Sequence, residues 1–202
     1  MYTLLKRTVI LILFSCICVA ATRTLFIHKP KIVGSKLPKF NGVTISGIRV
    51  DSSYFANKVT LITFFHVGCQ PCINEINAIK KLKRQNNFQV LYIVAHTAWE
   101  IKQFNADLPN SYSKKRQASK AGKIEFEILP QCEESKVKGK PFMESDCYTI
   151  SLKFGATSFP STYLIDKKGI IRQAWYGLSM DSINTALTIT TWQKEIDKLL
   201  AR

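Results

Sequence analysis

The order of segments predicts an α/β fold: a central mixed sheet flanked by helices, with an N-terminal signal or anchor segment ahead of it. Three observations carry this. Val59-Thr60-Leu61-Ile62-Thr63-Phe64-Phe65 is apolar and rich in β-branched and aromatic residues, the pattern of a strand buried on both faces. Phe88 to Ala95 (FQVLYIVA) is a second such run. Between them, Ile73, Ile76, Ile79 and Leu82 recur every three residues, which marks the apolar face of an amphipathic helix. Lys80, Lys81, Lys83 and Arg84 come late in that helix, where its dipole favours cations.

The remaining elements follow in order. Residues 40–57 read as a short hairpin and loop. Ala98 to Asp107 reads as a short helix ended by Pro109, because a residue before proline is pushed out of the helical region. Residues 110–148 are polar, basic and irregular, with one short helix over Tyr148 to Phe154. Thr162 to Ile165 is a strand, Asp166-Lys167-Lys168-Gly169 a turn, and Ile170 to Tyr176 the returning strand of a hairpin. Asp181 to Leu200 is a final helix. Strand, helix, strand, helix, then hairpin and helix gives a sheet with parallel and antiparallel parts. No internal repeat is found.

The chain has 202 residues, enough for one domain with some decoration, and 46% of them are hydrophobic, enough for a packed core. The formal net charge is +15, from 29 basic and 14 acidic side chains. Such a surplus raises nucleic acid, an anionic membrane face or an acidic partner as candidates. Here it is spread out. The first 40 residues hold Lys6, Arg7, Arg23, Lys29, Lys31, Lys36 and Lys39 and no acid, and a second basic stretch lies between 109 and 142. No basic strip is interleaved with aromatics, so nucleic-acid binding is not expected.

The N-terminus reads as an address. Lys6-Arg7 precedes TVILILFSCICVAA (Thr8 to Ala21), a charged n-region followed by a 14-residue apolar stretch. This is shorter than the about 20 residues a spanning helix needs. Leu13-Phe14-Ser15-Cys16 resembles a lipoprotein box, although Phe14 is bulky for one. A cleaved signal, an uncleaved anchor and lipidation at Cys16 remain open, with retention on a membrane preferred. All three place the rest of the chain outside the cytoplasm. The expected organisation is 1–22 signal peptide or anchor, 23–36 linker, and 37–202 a single domain with an inserted loop at about 109–148.

The chemistry centres on Cys69-Gln70-Pro71-Cys72. Disulfide exchange needs a thiolate to attack and a second thiol to resolve the mixed disulfide. Two intervening residues let both thiols meet across the first turn of a helix. Cys69 falls at the helix N-terminus, where free N–H groups and the dipole stabilise a thiolate and lower its pKa from about 8.5. Pro71 is tolerated because first-turn N–H groups have no intrahelical partner. Cys72, a turn deeper, is expected to be buried. Cys69 therefore attacks and Cys72 resolves. A zinc half-site is the first alternative, but Cys132, Cys147, His28 and His96 offer no second compact ligand pair. A static disulfide is the second, and a domain with a full core has little need of one in a strand-to-helix turn.

These residues, with a second segment downstream, resemble the TlpA/ResA family of extracytoplasmic thiol–disulfide oxidoreductases, a branch of the thioredoxin superfamily. The resemblance runs from about Leu37 to the C-terminus. Cys69-Gln70-Pro71-Cys72-Ile73-Asn74-Glu75 matches the family's active-site pattern. Phe159-Pro160-Ser161-Thr162-Tyr163-Leu164-Ile165-Asp166 followed by Gly169 matches its second signature, in which the proline is cis. The resemblance implies a thioredoxin-like fold with Pro160 against the cysteines. The backbone of Phe159 would then pair with an extended substrate segment, and Glu75 would act in proton transfer to and from Cys72. The plain alternative for Glu75 is a surface acid with a lysine partner.

The chain departs from the family at four places. Gly68 stands where Trp is frequent, Asn77 where a helix-kinking Pro is frequent, and His66 where a small residue is common. A cationic His66 near the thiols would favour the thiolate; otherwise it simply finishes a strand. Thr63 occupies the place of thioredoxin's buried acid, so that relay is expected to be absent. The 109–148 segment is longer than the family's. Cys132 and Cys147 are expected to close it with a structural disulfide worth about 3 kcal/mol, the rivals being a second redox pair or two free thiols.

The function expected is therefore an enzyme without cofactor or metal: a reductant of particular protein disulfides in a bacterial envelope, with apocytochrome c as a typical family substrate. Its partners would be protein thiol or disulfide substrates and a membrane electron donor. A disulfide-donating oxidase, or a scaffold whose thiols turn over little, is the alternative.

Overall fold

The structure is a computed structural model that describes residues 32–85, 87–133, 147–177 and 182–202. The expected N-terminal signal or anchor with Cys16, the centre of the long insert and the expected start of the last helix at Asp181 lie outside the described residues. The central sheet has five strands in the order β5-β4-β3-β6-β7. They are β3 (Thr60–Phe65), β4 (Gln89–Val94), β5 (Glu127–Pro130), β6 (Ser161–Ile165) and β7 (Ile171–Tyr176). Strands β3, β4 and β5 run parallel, whereas β6 and β7 are antiparallel additions. Every residue of β3 is buried, Thr60 and Thr63 among its apolar and aromatic neighbours, as its mainly apolar sequence demands. A small hairpin of β1 (Gly42–Val43) and β2 (Arg49–Val50) precedes it.

Parallel neighbours need a crossover, and α1 (Gln70–Gln85) supplies it between β3 and β4. Its Ile73, Ile76, Ile79 and Leu82 pack with Leu61, Phe65, Tyr92 and Val94 on one face of the sheet. Trp192 and Ile196 of α5 (Ser182–Leu200) join the same core. The opposite face carries Ile62, Phe64, Leu91, Ile93 and Tyr163. Phe154, which follows α4 (Thr149–Lys153), covers it with rings edge-on to Phe64 at 5.0 Å and Tyr163 at 5.3 Å. The hairpin between β6 and β7 turns on Asp166, whose Oδ1 accepts from the amides of Lys168 and Ile170 while Gly169 takes φ +74. The chain ahead of Leu37 already belongs to this body: Gly34 N donates to Ile171 O, and Ile171 N donates to Ser35 O.

Two expectations need correction. The helix after β4, α2 (Ala98–Phe104), stops well before Pro109. Asn105 ends it by turning its side chain to the next segment, accepting from Ile124 N and donating to Ile124 O. Residues 110–148 are also not irregular throughout. They contain α3 (Ser113–Ala118) and the sheet's edge strand β5. Neither has the periodicity that betrays an element. Helix α3 (SKKRQA) is held by one buried guanidinium, Arg116, which donates to the carbonyls of Phe104, Ala106 and Ala121. Strand β5 has only Ile128 and Leu129 between Glu127 and Pro130, the charge and proline that blunt an exposed edge.

Candidate active site

Strand β3 ends at Phe65, and His66-Val67-Gly68 carries the chain into α1. Cys69 closes this turn, donating its N–H to His66 O at 3.0 Å. It also caps the helix: its Sγ accepts from Cys72 N at 3.2 Å, and its carbonyl accepts the first helical bond from Ile73 N. Cys69 is half-buried, while Cys72 is wholly buried. The two are joined as a disulfide with Cα atoms 5.3 Å apart. Phe159 precedes a cis peptide bond to Pro160, and its carbonyl oxygen lies 3.5 Å from Cys69 Sγ.

Glu75, one turn beyond Cys72, is not a surface acid. It is completely buried and faces the sheet rather than a lysine. Its Oε1 accepts from Thr63 Oγ1 at 2.9 Å and from Thr162 Oγ1 at 2.6 Å. These two threonines are register partners on adjacent strands, and Tyr92 is the partner of Thr63 on the other side. The helix thus lowers its carboxyl onto a polar row in the middle of the core. Burial pushes the Glu75 pKa up to about 7, against the two hydroxyl donors that pull it down. The strand position that lacks an acid instead supplies a hydroxyl to an acid delivered from the helix.

A second cluster lies at the carboxyl ends of β3 and β4. The rings of His66 and His96 meet edge-on at 4.5 Å, and His66 stands 6.0 Å from the Phe159 ring. His66 Nδ1 accepts from Gly68 N at 3.0 Å. A Cβ at residue 68 would come within 3.1 Å of His66 Cε1, so the imidazole occupies the space that a large side chain before Cys69 would need. Burial, with His96 and Lys115 beside it, pushes the His66 pKa down to about 4 against the pull of Glu100. His66 is therefore neutral at pH 7 and is no cationic partner for a thiolate in this oxidised form.

His96 is buried with Nδ1 3.3 Å from Glu100 Oε2, and burial likewise lowers its pKa. Glu100 is held by a capping box with Thr97 and by the Tyr112 hydroxyl. The box, Thr97-x-x-Glu100, was readable in the sequence; the meeting of the two histidines was not.

The insert reaches the same loop. Lys115 Nζ donates to Gly68 O at 3.2 Å, and Gln70 Nε2 donates to Ser119 Oγ. Asn77 accepts from Gly122 N at 3.1 Å and donates to Lys120 O. The residue that replaces a frequent proline is therefore the latch for the segment after α3. Cys132, just past β5, is joined by a disulfide to Cys147, just ahead of α4. Among the described residues no cluster of three His, Cys, Asp or Glu is placed to hold a metal.

Two sulfurs on the first turn of a helix that leaves the central strand, one half-buried and one wholly buried behind it, sit in a thioredoxin-like α/β fold. Residues 33–174 match the AhpC/TSA family, and the chain belongs to that family. The thioredoxin-like protein YneN of Bacillus subtilis (strain 168) is 23% identical over 144 residues, 71% of either chain. Two solved structures share the fold. The first, described as a thiol:disulfide interchange protein DsbE of Chlorobium tepidum, has a TM-score of 0.51 and 18% identity, covering 80% of this chain and 96% of its own. The second, described as a protein disulfide isomerase of Bacteroides thetaiotaomicron, has a TM-score of 0.53 and 16% identity, covering 82% and 90%.

Proposed function

We propose that the protein is an extracytoplasmic, membrane-tethered reductant of particular protein disulfides. Cys69 is the attacking thiol, Cys72 the resolving thiol and Glu75 the proton carrier for Cys72. The single observation that carries the assignment is the contrast between a half-exposed Cys69 at the helix start and a wholly buried Cys72 one turn below Glu75. In the reduced protein the free N–H groups of the first turn favour Cys69 as thiolate. It attacks one sulfur of a substrate disulfide, and the other leaves as a thiolate. Glu75, with a pKa near 7, takes the Cys72 proton, and Cys72 attacks Cys69 Sγ. The substrate departs with two thiols, and two electrons have left the protein. An extended substrate segment would pair with the backbone of Phe159, held beside Cys69 by the turn at Pro160.

The apolar run behind Lys6-Arg7 supports the extracytoplasmic placement. Among the described residues no helix is long and apolar enough to cross a membrane. Cys132 and Cys147 would serve as a structural disulfide at the root of the insert, which suits an oxidising compartment. A membrane donor would return the electrons, and cytochrome c maturation is the process this role fits. The test is the reduction potential of the Cys69–Cys72 pair in the domain from residue 32 onward, by equilibration with dithiothreitol. A value near −270 mV supports a reductant, whereas one near −120 mV makes the protein a disulfide donor and overturns the direction.

A further inference from the structure

The insert side of the thiol loop carries charge and aromatic surface that the exchange chemistry leaves unused. Lys115 Nζ sits on the carbonyl of Gly68, the residue directly before Cys69. Trp99 is 54% exposed and meets the Tyr112 ring edge-on at 5.7 Å. The acids nearby are already engaged. Glu100 receives the Tyr112 hydroxyl and the Thr97 amide and faces His96, and Asp107 is paired with Lys123. Lys114 and Lys115 are both exposed, and neither forms an ion pair with a described residue. The rim therefore offers uncompensated positive charge next to half-exposed aromatic area, within one residue of the attacking sulfur.

We propose that this rim, Trp99 and Tyr112 with Lys114 and Lys115, docks the polypeptide flanking the substrate's disulfide, and that the flank it fits carries carboxylates beside an apolar side chain. The inference rests on the oxidoreductase reading of Cys69 and names the substrate class for it. A substrate sulfur must come within bonding distance of Cys69, and an extended chain advances about 3.3 Å per residue. A flank that leaves that sulfur on the insert side lies over Gly68 and the cation on it. Carboxylates there are attracted to the lysines, and an apolar neighbour covers the Trp99 ring. Such complementarity at a rim sets association rate and partner choice more than final affinity.

The test uses disulfide-containing peptides identical except for Glu or Lys beside the cysteines, each with Phe or Ser one residue further out. Exchange is followed in whichever direction it runs. The wild-type protein is expected to prefer the Glu peptide by about tenfold in kcat/KM at low ionic strength, with the preference shrinking as salt is added. Lys115→Glu is expected to reverse the Glu-to-Lys ratio. Lys194→Glu, an identical change of net charge on the exposed side of α5, is expected to leave that ratio alone. Trp99→Ser is expected to remove the preference for Phe over Ser. Equal rates for Glu and Lys peptides would overturn the docking rim while leaving the exchange chemistry standing. A Lys194→Glu effect as large as that of Lys115→Glu would assign the preference to overall charge and overturn it too. No exchange with any peptide would instead overturn the oxidoreductase reading beneath it.

Discussion

Glu75 faces two hydroxyls and no cation, and its behaviour with pH follows from that. Its pKa of about 7 in the folded protein lies above the ordinary 4.5. Its contribution to stability is therefore complete below pH 4.5 and is lost as the pH rises through 7. About 3 kcal/mol is at stake, at 1.36 kcal/mol per pKa unit. Glu75→Gln should flatten the fall in unfolding free energy between pH 5 and 8 measured by urea titration of the oxidised protein; an unchanged slope would remove Glu75 from the account. His66 acts with the opposite sign, since its pKa is depressed to about 4 and its penalty grows as pH falls below the ordinary 6.5. The hydroxyls are testable separately. Thr162→Val deletes a donor to the carboxylate and should raise the Glu75 pKa by about one further unit, read from the carboxyl carbon shift in a ¹³C NMR titration. A downward or absent shift would show that Thr162 does not hold the charged form.

At the scale of elements, the chain announces those that bury a periodic face and hides those held by single contacts. Strands β3 and β4 and helix α1 stood out because their apolar spacing has to match two packed layers. Cys69 and Cys72 stood out by their spacing at the start of a helix, and Pro160 by the resemblance of its segment to a family signature. Helix α3 and strand β5 did not. One depends on Arg116 and the other on lying at a sheet edge, and neither leaves a period in the sequence. The polar row under α1 was hidden for a related reason. Thr63, Thr162 and Tyr92 are far apart in the chain, and only strand register brings them together. Arg116→Ala should accordingly cost more than an ordinary surface change. It takes a donor from each of three carbonyls, Ala106 O keeping a long bond from Gln117 Nε2, and a loss of about 3 kcal/mol is expected, seen as a lower urea midpoint with faster amide exchange over residues 105–122. A change below about 0.5 kcal/mol would match a surface residue and contradict this anchoring role.

Across the whole molecule, the two cores on either face of the sheet hold the thiol loop as the meeting point of β3, α1, the Phe159 turn and the insert. The Cys132–Cys147 bridge closes the last part of the insert, from just past β5 to just ahead of α4, away from the exchanging pair in sequence. Replacing both of these cysteines with serine should lower stability by about 3 kcal/mol on loop-entropy grounds, measured by denaturant titration under non-reducing conditions. The central claim is the asymmetry of the other pair, and it is tested most directly by trapping. The Cys72→Ser protein is mixed with a disulfide-bonded protein substrate, and the products are mapped by mass spectrometry. A stable mixed disulfide through Cys69 is expected, with none formed through Cys72 in the Cys69→Ser protein. A mixed disulfide through Cys72 in the Cys69→Ser protein, with Cys69 unreactive in its counterpart, would contradict the account.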